Sequence, residues 1–203
     1  MGSNNKMGKL YVISGPSGTG KGTICHELLQ DMYNDFSVSM TTRAARDGEV
    51  DGKHYFFVSK EEFEANIEKG NFLEHANVYG NMYGTPKDAV LKRLERGHNV
   101  ILDIDVQGAL QVKSSYPEAI LIFILPPDME ELRKRLTGRQ TDAPEVIEKR
   151  LAEAIGEIKF MGEYDYYIVN DDLETAIAEA KAILKAESLK VPNHVKSIIS
   201  KYE

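Results

Sequence analysis

The 203-residue sequence holds one cysteine, Cys25, so it forms no internal disulfide and builds no cysteine cluster for zinc. It has no excess of positive charge: 25 Lys and Arg stand against 32 Asp and Glu, a net charge of −7. That balance argues against broad binding to nucleic acid or membrane surfaces, which needs a basic face. No apolar run approaches the roughly 20 residues that span a bilayer. No apolar signal core follows the polar start Met1-Gly2-Ser3-Asn4-Asn5-Lys6. A myristoylation reading of Met1-Gly2 fails because Lys6 stands where Ser or Thr is wanted. Internal repeats and low-complexity tracts are lacking too. The five histidines (His26, His54, His75, His98, His194) show no metal-ligand spacing, and no serine or cysteine nucleophile constellation is visible.

What remains is ordinary globular composition, 42% hydrophobic and 28% charged, in a length that suits one domain with a buried core. The expectation is a soluble, cytoplasmic protein. Residues 1–8 are read as a leader, in part a cloning remnant, with Met7 as the natural start.

Leu10-Tyr11-Val12-Ile13 is a short run of β-formers that stops at glycines, and reads as a buried strand. A helix is expected from Gly20 to about Tyr33. Tyr55 to Val58 is a second strand, and Ser59 with Glu62 forms a capping box for a helix that Gly70 ends. Phe72 to Val78 and Met82-Tyr83 flank a turn at Gly80-Asn81. Thr85-Pro86 is read as the N-cap and first residue of a helix closed by Gly97. Val100 to Ile104 and Ala119 to Leu125 are near-continuous apolar runs, as in strands covered on both faces. Further helices are expected around Ala109 to Val112, from Asp128 to Leu136, from Pro144 to near Gly162, and from Ala176 onward, with a short strand at Tyr167-Ile168-Val169. Strands alternate with helices except over about 39–83, where hairpin-like spacing suggests an inserted, mostly antiparallel subdomain. The fold class is therefore α/β, a parallel sheet covered by helices.

Gly15-Pro16-Ser17-Gly18-Thr19-Gly20-Lys21-Gly22-Thr23 follows a strand and opens a helix, the context in which G-x-x-x-x-G-K is a phosphate loop. Glycines let backbone N–H groups converge on an anion, and the helix N-terminus adds positive potential. Gly22 takes the place where such loops usually put a metal-binding hydroxyl, leaving water, nucleotide oxygens and neighbouring Thr23. A dinucleotide fingerprint from Gly18 fails at Thr23. Asp103 and Asp105 are read as ending the central strand on one side, at the carboxyl edge where α/β sheets bind ligands. Asp103 suits the water shell of a metal, and the plainer reading of Asp105 is a helix cap. Arg43 and Arg46 form one cluster, while Arg133, Arg135, Arg139 and Arg150 surround the loop after Leu136. In an acidic chain these suggest anion sites, since guanidinium grips phosphate oxygens bidentately. The plainer reading, solvated surface charge, is kept for Arg93, Arg96 and Arg133. Together the residues fit phosphoryl transfer, which needs positioning and charge neutralisation more than covalent chemistry.

From Lys9 to about Ala186 the chain resembles the guanylate kinase family. The resemblance rests on the phosphate loop, Ser37-Val38-Ser39, Thr41-Thr42-Arg43 with Arg46, Gly52-Lys53-His54-Tyr55, Phe72-Leu73-Glu74, Tyr83-Gly84-Thr85, Ile101 to Gly108 and Ile168 to Asp172. It implies ATP + GMP → ADP + GDP with Mg²⁺, in purine nucleotide metabolism and GMP recycling. It implies a core over about 9–38, 86–136 and 151–203, a GMP-binding insertion over 39–85, and a lid over 137–150. Carried over by position, it implies that Arg43, Arg46, Tyr55 and Tyr83 hold the GMP phosphate, and that Ser39, Glu74, Thr85 and Asp105 read guanine. ATP falls to residues 15–23 with Arg135, Arg139 and Asn170. Lys21, Arg43, Arg139 and Arg150 are the implied catalytic charges, and Asp103, with Thr23, the implied partners of the metal. Ala45 stands where the family commonly has proline, and Met40 where it has a small polar residue. A non-catalytic guanylate-kinase-like interaction module and a kinase for another nucleoside monophosphate are the competing readings.

Overall fold

The computed structural model describes residues 7–78, 80–138, 143–191, 195, 199, 200, 202 and 203. Five strands form one parallel sheet: β1 (Leu10–Ser14), β2 (Asn34–Phe36), β7 (Asn99–Asp103), β8 (Ile120–Leu125) and β9 (Tyr166–Val169), in the order β2-β7-β1-β8-β9. Every residue of β1 is buried, which is what a continuous apolar strand in the middle of a doubly covered sheet requires. One face carries α1 (Lys21–Leu28) and α7 (Leu173–Leu189), closing over Ile13, Ile24, Ile122, Ile168 and Ala180. The other carries α3 (Lys87–Glu95) and α4 (Val106–Ser115), closing over Val12, Val90, Leu102, Ala109 and Leu121. A third, smaller core joins α5 (Met129–Thr137) to α6 (Pro144–Ile158) through Leu132, Leu136, Ile147 and Leu151.

The break in rhythm after residue 39 is a second sheet of β4 (Phe56–Phe57), β3 (Met40–Thr41), β6 (Asn81–Pro86) and β5 (Phe72–Val78), with α2 (Lys60–Glu68) beside it. It is mixed: β3 pairs parallel with β4, whereas β3–β6 and β5–β6 are antiparallel. Ser59 caps α2 by accepting from the Glu62 N–H at 3.1 Å, as its spacing predicts. Helix α4 bridges the two sheets, since the Gln111 side chain accepts from His75 N–H and Ser115 donates to Leu73 O.

Three local expectations change. α1 ends at Leu28, not Tyr33, because the Asn34 side chain donates to Leu28 O at 2.8 Å and starts β2. α6 ends at Ile158, followed by a 3₁₀ turn at Met161–Glu163 rather than running on to Gly162. β6 extends to Pro86, so Pro86 and not Thr85 is the N-cap position of α3. The Thr85 hydroxyl is spent elsewhere, as the site makes clear.

Candidate active site

β1 lies between β7 and β8, so the chain leaves its carboxyl end at the point where the connections diverge to opposite sides, the usual ligand crevice of an open parallel sheet. The loop leaving β1 is the glycine-rich one, and it opens α1 at Lys21. Thr19 is fully buried, its hydroxyl donating to Pro16 O at 2.9 Å. Gly20 sits at φ +90°, and a Cβ there would lie 2.3 Å from the Asn170 side-chain nitrogen. That contact is a lock: buried Asn170 donates to Thr19 O at 2.8 Å and its own carbonyl accepts from Arg135 Nη1 at 2.9 Å. Arg135 is held a second time through Glu131 at 2.9 Å. So Asn170 meets the phosphate loop directly, and Arg135 is joined to it through Asn170. Lys21 Nζ donates to Gly15 O at 2.6 Å and Pro16 O at 2.9 Å, which keeps the ammonium over the loop.

Asp103 ends β7 beside this loop, paired in register with Ile13. Burial raises its pKa, and the nearby Lys21 charge opposes the rise. A Cβ built on Gly22 would sit 3.8 Å from Asp103 Oδ2, so no side chain stands between the helix start and that carboxylate. Among the described residues no group of three or more His, Cys, Asp or Glu gathers around a metal position. One carboxylate beside a phosphate loop fits a hard cation carried in by nucleotide oxygens and water.

Of the two readings of Asp105, the structure shows the helix cap rather than the strand end. β7 stops at Asp103, and Asp105 is the N-cap of α4, accepting from Gly108 N–H at 2.8 Å. The cap still aims it at the second carboxylate. A Cβ on Gly108 would lie 3.4 Å from Glu74 Oε2 and 3.5 Å from Asp105 Oδ1, so the two acids face one another across that glycine. Glu74 is 8% exposed and accepts from the Thr85 hydroxyl at 2.6 Å. Its pKa is raised, by burial first and by the Asp105 charge as well, with Thr85 pulling the other way.

Across the mixed sheet lies a basic and aromatic cluster. The Arg43 guanidinium sits 5.5 Å from the Tyr55 ring centre and 5.8 Å from that of Phe57, and Tyr55 meets Tyr83 edge-on at 5.9 Å. Ser39, in the loop before β3, accepts from Phe56 N–H through its backbone carbonyl. Arg46 is exposed near this cluster, with its backbone tied to Glu49 at 2.7 Å. Glu49 is the residue that sequence reasoning missed, although an acid three positions past an arginine pair was there to be noticed. Arg150 lies half-buried on α6, and Arg139 falls outside the described residues.

The family model described as guanylate kinase matches residues 7–187. The guanylate kinase of Clostridioides difficile is 52% identical over 201 residues, 98% of this chain and 97% of its own length. That of Carboxydothermus hydrogenoformans is 53% identical over 184 residues, 90% of each. The crystal structure of guanylate kinase from Anaplasma phagocytophilum superposes with a TM-score of 0.69 at 38% identity, covering 92% of this chain and 89% of that one. The chain belongs to the guanylate kinase family.

Proposed function

We infer that this protein transfers the terminal phosphoryl group of ATP to GMP, giving ADP and GDP. The observation that carries the reading is the facing pair Glu74 and Asp105 beside the Arg43–Tyr55–Tyr83 cluster. Guanine offers N1–H and an exocyclic amine, two donors that carboxylates accept. Adenine offers a bare acceptor at N1, which a carboxylate repels. The binding set we assign to GMP is Ser39, Glu74, Thr85 and Asp105 for the base, with Arg43, Arg46, Tyr55 and Tyr83 for its phosphate. ATP takes residues 15–23, Arg135, Arg139 and Asn170, with Arg139 and Arg150 in a lid over 137–150.

The attacking atom is a GMP phosphate oxygen, already ionised, so no general base is required. It forms its bond to the γ-phosphorus as the bond to the ADP oxygen breaks. Lys21 follows the negative charge along the transferring group, and Arg43, Arg139 and Arg150 neutralise it from the acceptor and lid sides. Asp103, through water, and Thr23 would hold Mg²⁺. When bound, the ion supplies charge neutralisation on the donor phosphates. Closure of the lid and of the mixed sheet toward the phosphate loop excludes water, which would otherwise take the phosphoryl group. No helix among the described residues is long and apolar enough to cross a membrane, and we place the reaction in the cytoplasm, where both nucleotides are found.

Nucleotide analysis after incubation with ATP and GMP tests this. ADP and GDP should appear in equal amounts, and Lys21→Ala should fold normally while losing about 10²–10³-fold in kcat. ADP without GDP, or a folded Lys21→Ala enzyme of ordinary rate, would contradict it.

A further inference from the structure

Resting on that reading of the acceptor site, we propose that Glu49 is a positioning residue that presets Arg43 for the GMP phosphate. Its two carboxylate oxygens do different jobs. Oε1 accepts from Arg43 Nη2 at 2.8 Å, and Oε2 accepts from the Arg46 backbone N–H at 2.7 Å. The Glu49 N–H in turn donates to Arg46 O at 3.0 Å, and Arg43 Nη1 donates to Ala44 O at 2.8 Å. One carboxylate therefore fixes the side chain of one arginine and the backbone of the other. The intervening loop, Ala44-Ala45-Arg46-Asp47-Gly48, has no proline to fix its shape, so its form depends on these bonds.

An exposed ion pair would contribute little, but here the two side chains are only 15% and 19% exposed. The guanidinium also lies over the rings of Tyr55 and Phe57, which are in contact with each other. A guanidinium has five N–H donors; the bonds to Ala44 and Glu49 use two and Tyr83 engages the group as well, which still leaves donors for a phosphate without displacing Glu49. Because Oε2 belongs to the backbone of Arg46, Glu49 is built into the loop rather than standing in for the phosphate. Holding a long, rotamer-rich side chain in its bound form removes an entropy cost from substrate binding. The Arg43 hydrogen bond, then that from Arg46, holds the Glu49 carboxyl down to about 2, so the pair stays charged wherever the enzyme works.

The test is a double-mutant cycle read on the KM for each nucleotide, using wild type, Glu49→Gln, Arg43→Ala and the double variant. Glu49→Gln should raise the KM for GMP on the order of tenfold and leave that for ATP within about twofold. Added to Arg43→Ala it should raise the GMP KM by clearly less than it does alone, since the part that acts through Arg43 is already lost and only the hold on the Arg46 backbone remains. Glu49→Asp, too short to reach both partners, should show the same split on a smaller scale, and serves if Glu49→Gln folds poorly. An unchanged or lower GMP KM in Glu49→Gln, or effects that simply add in the double variant, would overturn the proposal. If Arg43→Ala itself leaves the GMP KM untouched, the acceptor-site reading fails and takes this one with it.

Discussion

Glu74 is where two demands on one side chain conflict. The guanine recognition we propose for Glu74 needs a carboxylate, yet the residue is 8% exposed and next to Asp105, and both circumstances push its pKa above 4.5. Burial thus favours the neutral form in the folded protein, which is stabilising below the unfolded value of 4.5 and is lost as pH rises through the raised folded one. Glu74→Gln should accordingly raise Tm at pH 7, and the gain should vanish below about pH 4.5, where both proteins are neutral at this position. The same change should lower kcat/KM for GMP by roughly 10- to 100-fold, the loss of hydrogen bonds to a charged acceptor. In wild type, kcat/KM for GMP should fall on the acid side as Glu74 takes up its proton, and the glutamine variant should lack that limb. A variant less stable at pH 7 would show that Glu74 is a structural residue. The roles of individual residues were only partly legible in the sequence. Thr85 before a proline looks like a helix cap, and only the fold brings its hydroxyl to Glu74, eleven positions away in the chain. Asp105 could be read as a strand end by alternation or as a helix cap, and only the fold decides: β7 ends two positions earlier and α4 claims it as a cap.

Elements show the opposite balance. β1, β7, β8 and the long helices could be read from apolar runs and caps, because burial on both faces leaves an uninterrupted hydrophobic signature. β2 and β3, three and two residues long, have no room for periodicity and exist only through their neighbours. A fastening between elements is equally invisible in sequence. Glu187 on α7, its side chain 2% exposed, accepts from Lys9 Nζ at 3.0 Å and Tyr166 OH at 2.5 Å and pairs with Lys190, tying the residue just before β1 and the edge strand β9 to one helix. Burial alone would raise its pKa, but the three partners outweigh it and bring it down to about 2 from 4.5. The pH dependence is therefore the reverse of that at Glu74: the stabilisation is full above 4.5 and lost as pH falls toward 2. Glu187→Ala should cost about 2–3 kcal/mol at pH 7 by denaturant unfolding, with the gap to wild type closing between pH 4.5 and 2. A gap independent of pH would mean that packing, not charge, fastens α7.

On the scale of the whole molecule, the parallel sheet presents the phosphate loop, the mixed sheet presents the arginine and tyrosine cluster, and α4 holds both. Glu74 comes from one sheet and Asp105 from the helix cap at the edge of the other, so the base pocket we propose depends on both units. Choice of acceptor is therefore the property that depends on the entire architecture at once. The most direct measurement is kcat/KM for GMP and for AMP, in wild type and in Glu74→Gln. A pocket that leaves buried carboxylates unsatisfied when adenine enters should favour GMP on the order of 10⁴-fold, well above the roughly 10²-fold of apolar pockets. The Glu74→Gln enzyme, whose amide can turn a donor toward adenine, should narrow that ratio. Wild type that phosphorylates AMP as readily as GMP would contradict the guanine site outright.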